Sequence, residues 1–168
     1  MSIQRVDWLD PRAVAQRAAM DAETTAMYLK FIEGQTDDVI AGMQEAFAID
    51  PADITATILA VEGDEVLGHT ALRPAIGEST DVLEVKKVFV GREYRGRGIS
   101  RTLMLEAESI AKENGATALV LQTGDLQVPA ITLYLDLGYV PVPPFGKYHL
   151  IPGALCYRKE LSSEPASE

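Results

Sequence analysis

Residues 88–105 read VFVGREYRGRGISRTLML, a β-branched and aromatic run followed by a basic loop with glycines. Apolar residues then recur at helical spacing from Ile99, so the stretch predicts a strand, a loop and a helix in succession. The first turn of a helix has unpartnered backbone N–H groups and a positive dipole end, and it attracts anions. Because Gly96 and Gly98 lack a Cβ atom, phosphate oxygens can approach the backbone closely. We therefore expect a pyrophosphate site here, although glycines before a helix also occur simply as a tight turn.

The loop lacks the Gly-Lys-Ser/Thr ending of a nucleotide P-loop and the complete Gly-x-Gly-x-x-Gly fingerprint of dinucleotide-binding proteins. Arg95 to Ser100, which read RGRGIS, resemble instead motif A of the GNAT superfamily, the acyl-CoA-dependent N-acetyltransferases. That motif reads Arg or Gln, any two residues, Gly, any one residue, and then Gly or Ala. Ser100 stands at the last position, where its small side chain carries a hydroxyl able to donate to a phosphate.

A second stretch adds to this resemblance. Tyr134 to Tyr139 read YLDLGY, similar to the family's tyrosine that is followed by glycine and an aromatic residue after the fifth strand. The C-terminal sequences GYVPVPPFGKY and LCYRKEL resemble small bacterial members of the superfamily. The resemblance covers nearly the whole chain, and it implies a single-domain α/β (α+β) fold with a mixed central sheet of about seven strands and about four flanking helices.

Local patterns predict the same order of elements along the chain. A helix begins after the Asp10 cap and Pro11 and runs to Ile32, with an interruption at 21–25. Gly63 and Asp64 separate two β-rich runs and so predict a hairpin. Further helices are expected at 37–47, 99–113 and 129–138, and strands at 3–8, 54–62, 65–73, 82–90, 117–123, 139–142 and 154–161.

The length of 168 residues suits one domain that buries a core without disulfides or metal. We expect this domain to span 1–161 and the segment SSEPASE at 162–168 to be a disordered tail. The single cysteine permits no internal disulfide and the first residues do not resemble a signal segment, so we expect a cytoplasmic protein. No apolar run approaches the roughly 20 residues that cross a bilayer, so no membrane partner is expected.

Charge is unevenly distributed along this chain of net charge −10. Residues 86–101 contain six basic residues and one acidic residue, a local +5, which leaves nine basic and 24 acidic residues elsewhere. Such a small basic patch argues against nucleic acid as the main partner, because a phosphate backbone requires an extended basic face. It suits a compact polyanionic cofactor. The acidic remainder either attracts a cationic amine or only keeps the protein soluble.

The GNAT resemblance implies acetyl-CoA as the cosubstrate. It implies that the backbone of Val88, Phe89 and Val90 pairs with the pantetheine amides, as an added strand would at an opening in the sheet. It also implies that the pyrophosphate is held by the N–H groups of Arg95, Gly96, Arg97, Gly98, Ile99 and Ser100. The arginine side chains are then secondary, since a basic residue beside a helix N-terminus is often only solvated.

Acetyl transfer to an amine requires a neutral amine, a stabilised oxyanion and a proton for the departing thiolate. Tyr134 matches the family's tyrosine, and we predict it as the acid, because a phenol with a pKa of about 10 is protonated at neutral pH. The alternative is an aromatic residue that only packs. We predict Tyr139 to belong to the core.

Glu84 is predicted as the base, since its position resembles the strand glutamate that many GNAT enzymes use directly or through water. Period-two alternation places it on the same face as Val88 and Val90 unless a bulge shifts the register. The alternative is a structural glutamate that faces Lys86 on an exposed sheet face.

His69 and His149 are other candidate bases, because histidine titrates near neutral pH. Neither has supporting spacing, and His69 on a strand is more often a hydrogen-bonded structural residue. Cys156 is predicted as a small buried hydrophobe. Because the histidines and the cysteine share no spacing typical of ligands, no metal site is expected.

The sequence therefore predicts an N-acetyltransferase that moves an acetyl group from acetyl-CoA to a primary amine of a small molecule or peptide by direct attack. The alternative from another class is a module of the same fold that binds acyl-CoA as a sensor or scaffold. Binding of nucleic acid through residues 86–101 is a third possibility, and it predicts a steep dependence on salt. The sequence identifies neither the acceptor nor the strictness for acetyl, and it leaves a homodimer open.

Overall fold

The computed structural model describes residues 1–161, so the predicted tail at 162–168 lies outside the described part. The bounds of the elements agree with the predicted ones within two residues. The elements are β1 (Ser2–Val6), α1 (Pro11–Glu33), α2 (Asp37–Phe47), β2 (Ala56–Glu62), β3 (Glu65–Pro74), β4 (Val82–Val90), α3 (Ile99–Glu113), β5 (Ala118–Thr123), α4 (Val128–Asp136), β6 (Val140–Val142) and β7 (Leu155–Glu160).

The strands form one seven-stranded sheet in the order β1-β2-β3-β4-β5-β7-β6. Only β4 and β5 pair in parallel within the described sheet, and their neighbours pair antiparallel. Helices α3 and α4 pack on one face with the largest hydrophobic cluster, whereas α1 and α2 contribute to the two clusters on the other face. This arrangement confirms the predicted mixed sheet with four helices.

Helix α1 is continuous, so the predicted interruption at 21–25 is wrong. The two threonines there lower helix propensity by only about half a kcal/mol each, and tertiary packing of the helix outweighs so small a penalty. The start of the helix follows the prediction, because the Asp10 carboxylate accepts a hydrogen bond from the Arg12 backbone N–H and Pro11 occupies the first turn.

Strands β4 and β5 pair over one short stretch and then separate. Val82, Leu83 and Glu84 face residues of β5, and no later residue of β4 is paired with β5. The edge of β4 from Val85 to Val90 is therefore open on the side that faces away from β3. Because open strand edges can accept another extended chain, this edge is an opening of the kind that the GNAT resemblance implies.

A bulge interrupts β4 at Lys87. Phe89 pairs with His69 and Lys86 pairs with Ala71, so two residues of β4 stand opposite one residue of β3. Lys87 has a φ of +56°, the only positive φ of a non-glycine residue in 1–161. Such a conformation persists in a β strand only where the surrounding structure holds it.

The bulge corrects one prediction about Glu84. Val85, Val88 and Val90 all belong to or pack against the cluster under α3, because the extra residue reverses the alternation between Val85 and Val88. Glu84 instead contacts Tyr148, which belongs to the cluster beside α2. Glu84 therefore lies on the opposite face from Val88 and Val90, as a residue before a bulge must when one residue is inserted.

Candidate active site

The loop between β4 and α3 is built from backbone. Gly96 and Gly98 have φ angles of +79° and +75°, which glycine adopts without strain. Gly98 is the N-terminal cap of α3, and no side chain caps the free N–H groups of the first turn. No atom lies within 4 Å of where a Cβ would stand at either glycine. The exposed N–H groups therefore face open space that accommodates an anion.

The arginine side chains of this loop are paired with acidic residues. Arg95 donates to the Val90 carbonyl at 3.0 Å and to Glu23 of α1 at 2.8 Å. Arg97 donates to Glu62 at 2.8 Å. These pairs reduce the free positive charge of residues 86–101, so the attraction for an anion comes mainly from the helix N-terminus.

A cleft of about 730 Å³ adjoins the open edge of β4. The helices α1 and α2 form one wall. The other is formed by β5, the loop before α4, Tyr134 and residues 151–154. Most of the wall contributed by helices is apolar, namely Met20, Phe31, Ile32, Ile40, Met43 and Phe47. The titratable residues of the lining are Asp21, Tyr28, Lys86, Lys87, Asp125 and Tyr134. The cleft thus combines an apolar body with a few polar groups, which is typical of a small-molecule site.

Tyr134 lies on α4 and lines this cleft. It is 5% exposed, and its ring packs against the rings of Tyr139 and Tyr157 at centroid distances of 6.1 and 6.4 Å. Burial raises its pKa, so the phenol stays protonated at neutral pH. This is the state that a proton donor requires. Tyr139 is buried in the core as predicted.

Tyr28 fixes the loop that precedes α4. Its hydroxyl accepts a hydrogen bond from the Leu126 N–H at 3.0 Å. A Cβ atom at Gly124 would stand 1.9 Å from that hydroxyl, so only glycine permits the close approach. The contact joins α1 to the loop before α4 at a point where both line the cleft.

Glu84 is fully buried and does not line this cleft. One carboxylate oxygen accepts a hydrogen bond from Arg73 Nε at 2.8 Å, and the other accepts one from the Tyr148 hydroxyl. Glu84 lies instead beside a second cavity of about 200 Å³ that Arg73 and Tyr148 also line. The structure therefore does not bring Glu84 and Tyr134, the two predicted catalytic residues, into one cavity.

Lys86 also lines the cleft, although the sequence suggested for it only a place in the basic patch at 86–101 and a contact with Glu84. It is 8% exposed and lines the cleft, while its Nζ donates to the Tyr148 hydroxyl at 2.6 Å. Burial lowers the pKa of Lys86, the charge of Glu84 opposes that shift, and the charge of Arg73 adds to it. Three charged residues, Glu84, Lys86 and Lys87, inside the otherwise apolar strand β4 were the available signal.

His69 holds the bulge. Its Nδ1 lies 2.9 Å from the Lys87 carbonyl oxygen, so Nδ1 carries the proton, and Nε2 accepts from Arg17 Nη1 at 3.3 Å. The Arg17 guanidinium stacks on Trp8, 3.5 Å from the ring centroid. Burial lowers the pKa of His69 to about 4. His69 is thus a neutral, hydrogen-bonded strand residue, the interpretation that the sequence favoured.

The loop between β6 and β7, residues 143–154, is divided between two environments. Phe145 and Tyr148 are buried, whereas His149 is exposed, with Nδ1 2.8 Å from the Gly146 carbonyl oxygen. Neither Tyr148 nor His149 lines the cleft, which is contacted instead by 151–154.

Cys156 is buried, as expected. Within 1–161 no three His, Cys, Asp or Glu side chains are grouped as metal ligands, and no helix is long and apolar enough to span a membrane.

A mixed sheet that opens between its two parallel strands, with a glycine turn and an uncapped helix beyond one of them, defines the acyl-CoA N-acyltransferase fold. The chain belongs to the acetyltransferase (GNAT) family, whose family model matches residues 13–139. Both predicted motifs lie inside this range.

Curated proteins similar to this chain are named as acetyltransferases. The chain is 31% identical over 124 residues to N-acetyltransferase 8F1 of Rattus norvegicus, a match that covers 67% of this chain and 55% of the relative. It is 40% identical over 78 residues to the IAA acetyltransferase of Azospirillum brasilense, covering 46% of this chain and 51% of the relative. The chain thus spans about half the length of the curated relatives it matches.

Solved structures show the same fold over nearly the whole chain. A Klebsiella pneumoniae protein whose name assigns it to the acyl-CoA N-acyltransferases has a TM-score of 0.73 at 23% identity, covering 96% of this chain and 97% of the other. PaiA N-acetyltransferase from Thermoplasma acidophilum, in complex with coenzyme A, has a TM-score of 0.62 at 16% identity, covering 95% and 99%. At these identities the likeness establishes the fold.

Proposed function

We propose that this chain transfers an acetyl group from acetyl-CoA to a primary amine by direct attack. The observation that carries the proposal is the continuity of three features: the uncapped glycine turn at Gly98, the open edge of β4, and the cleft with Tyr134. A long ligand with a pyrophosphate at one end and a reactive thioester at the other fits this order. The coenzyme A complex of the Thermoplasma acidophilum protein supports the ligand class.

The binding residues divide into two groups. We assign the pyrophosphate to the backbone N–H groups of 95–100, because the glycine turn leaves space there and the helix end is positive. We assign the pantetheine amides to the backbone of Val88, Phe89 and Val90, which has no strand partner on the β5 side. Both groups use main-chain atoms, so the side chains in these stretches serve mainly to hold the backbone in place.

Tyr134 is the proposed acid. The amine nitrogen attacks the thioester carbonyl, and the sulfur that leaves as a thiolate takes the proton of the Tyr134 phenol. The raised pKa of Tyr134 keeps the donor protonated before the step, and the same shift makes the tyrosinate a strong base that regains a proton afterwards. No covalent bond to the protein is required.

The acceptor is proposed to be a small molecule or peptide whose primary amine is attached to an apolar body. Met20, Phe31 and Met43 offer it dispersion contacts, and no acidic group of the lining is as deeply buried as Lys86. This shape also matches the alternative, an acyl-CoA sensor, except that a sensor has no need of a phenol beside the sulfur.

We further propose a cytoplasmic location. Light scattering of the purified protein tests for a homodimer.

A thiol-release screen tests the proposal. Purified protein is incubated with acetyl-CoA and a panel that includes phenethylamine, hexylamine, aspartate and a lysine-containing peptide. We expect free thiol with the apolar amines and little with aspartate. Acetyl-CoA that binds in calorimetry without thiol release from any amine would support the sensor instead, and binding of DNA that exceeds acetyl-CoA binding at physiological salt would support the nucleic-acid alternative.

A further inference from the structure

Four buried polar side chains connect the cleft to the second cavity. In order of contact they are Lys86, Tyr148, Glu84 and Arg73. Lys86 lines the cleft, whereas the other three line the second cavity. The two cavities are therefore joined by hydrogen-bonded side chains: Lys86 Nζ donates to Tyr148, Tyr148 donates to Glu84, and Arg73 donates to Glu84.

The charges of this cluster determine the protonation state of Lys86. Arg73 and Glu84, 3% and 0% exposed, form a close pair at 2.8 Å and cancel each other. A charged Lys86 therefore leaves a net buried charge of +1, and a neutral Lys86 leaves none. Burying an unbalanced charge is costly, so the neutral amine is favoured.

Every element around Lys86 bears on this balance. Lys87 on the same strand and Arg73 on β3 disfavour a charged Lys86, and Glu84, whose Oε1 is 3.4 Å from Nζ, is the one carboxylate that favours it. Tyr148 is a neutral phenol whose pKa is raised by burial and by Glu84. Cys156 of β7 is a buried thiol with a raised pKa, and it too stays neutral. These surroundings agree with the lowered pKa of Lys86.

We propose that Lys86 is the base that takes a proton from the acceptor ammonium, and that Tyr148 and Glu84 carry this proton to the second cavity. The inference rests on the proposed acetyl transfer. The neutral Nζ forms a bond to the proton as the ammonium N–H breaks. The resulting Lys86 ammonium gives a proton to the Tyr148 oxygen while the Tyr148 hydroxyl proton moves to Glu84. Glu84 then releases a proton to water in the second cavity.

This pathway gives the predicted base, Glu84, a role at the end of the relay, remote from the substrate. Glu84 does not reach an amine in the cleft, because it is fully buried and lines only the second cavity. Tyr148 can accept and donate at the same moment, so its high pKa is no obstacle. No tyrosinate forms, since one proton arrives as another leaves.

The pH dependence of turnover tests the base. With the best amine of the panel, we expect Lys86→Met to lower kcat/KM about hundredfold at pH 7, the usual scale for loss of a general base. The loss should shrink as the pH approaches the pKa of the amine, because free amine then forms without help. The control is Lys112→Met, an exposed lysine on α3 that lines neither cavity. An unchanged pH profile in Lys86→Met would overturn the proposal.

Two further variants separate a base from a charged anchor. Arginine is always protonated, so Lys86→Arg should lose activity as Lys86→Met does; retained activity would mean that residue 86 only supplies a positive charge. Tyr148→Phe keeps the ring between Phe47 and Phe145 and removes the hydroxyl. We expect it to lower kcat/KM about tenfold, within the lower range for proton transfer, with unchanged acetyl-CoA affinity. Full activity would remove Tyr148 from the pathway.

A titration that needs no substrate separates this inference from the proposed function. In protein labelled with ¹³C and ¹⁵N at lysine, the Lys86 side-chain signals, assigned by their absence in Lys86→Met, should titrate well below about pH 10.4, the usual pKa of lysine in a peptide. Titration at or above about pH 10.4 would overturn the relay even if amines are acetylated. A neutral Lys86 in a protein that acetylates no amine would overturn the proposed function instead.

Discussion

The glycine turn at 95–100 and the charged cluster around Glu84 lie at opposite ends of β4, and they are built in different ways. The turn consists of consecutive residues whose backbone N–H groups face outward, with side chains that matter little. The cluster joins side chains from β3, β4 and the loop before β7, and Glu84 and Tyr148 are separated by 64 residues in the chain. A site made of backbone therefore leaves a local spacing in the sequence, whereas a site made of side chains leaves isolated residues.

The largest effect is expected from breaking the cluster. Arg73→Leu removes the partner of a fully buried carboxylate, and such a change typically costs about 3–5 kcal/mol of the free energy of unfolding. We expect the lower end, because without the charge of Arg73 the nearby Lys86 can take up a proton and compensate Glu84 in part. Urea unfolding measures the change. Arg97→Leu, which breaks an exposed pair beside the turn, should alter the midpoint little; equal shifts would contradict the distinction.

Acid should weaken the other side-chain contact of β4, the one made by His69. The pKa of His69 is lowered from 6.5 to about 4, so below pH 6.5 the unfolded chain binds a proton that the folded protein does not. Stability is then lost as the pH falls from 6.5 towards 4, by about 3 kcal/mol from linkage at 1.36 kcal/mol per pKa unit.

His69→Gln keeps a donor for the Lys87 carbonyl and cannot titrate. The urea midpoint of each protein is measured at pH 7 and at pH 4.5. The midpoint should therefore fall less between these two pH values in the variant than in the parent. If the urea midpoint falls equally in the parent and the variant between pH 7 and pH 4.5, His69 is protonated in the folded protein.

Tyr134→Phe tests the proposed proton donor in the cleft beside β4. The variant keeps the ring and loses only the donor, so kcat should fall about hundredfold while acetyl-CoA affinity is unchanged. Steady-state kinetics and calorimetry measure the two quantities. Tyr139→Phe removes the hydroxyl of the aromatic neighbour that lies outside the cleft, and it should turn over normally. Normal turnover by Tyr134→Phe would assign Tyr134 to packing alone.

The smallest effect is expected at the glycine turn itself. Gly98 and Gly115 stand at the two ends of α3 and have φ angles of +75° and +77°. A Cβ atom added at either would meet no atom within 4 Å. The variants Gly98→Ala and Gly115→Ala are therefore a matched pair. Both should cost about 1 kcal/mol of stability, because alanine is strained there. Only Gly98→Ala should also weaken acetyl-CoA binding, about tenfold, which corresponds to about 1.4 kcal/mol. Equal affinities of the two variants in calorimetry would contradict the pyrophosphate assignment.

Much of the fold was accessible from the sequence, because its signals are local. The hairpin at Gly63, the helix start at Pro11 and the apolar stripe of α3 each depend on residues within a few positions of one another. The interruption of α1 was predicted wrongly for the complementary reason: weak local propensities at 21–25 were overridden by packing of the whole helix.

The candidate site was accessible only in part. The sequence by itself determined the glycine turn, the strand that leads to it and the position of Tyr134, since each belongs to a short contiguous motif. The tertiary structure decided which face Glu84 occupies, because the bulge at Lys87 depends on a hydrogen bond from His69, 18 residues away in the chain. It also decided that Lys86 faces the cleft and reaches Tyr148, since side chains so distant in sequence meet only when the sheet and its loops are assembled.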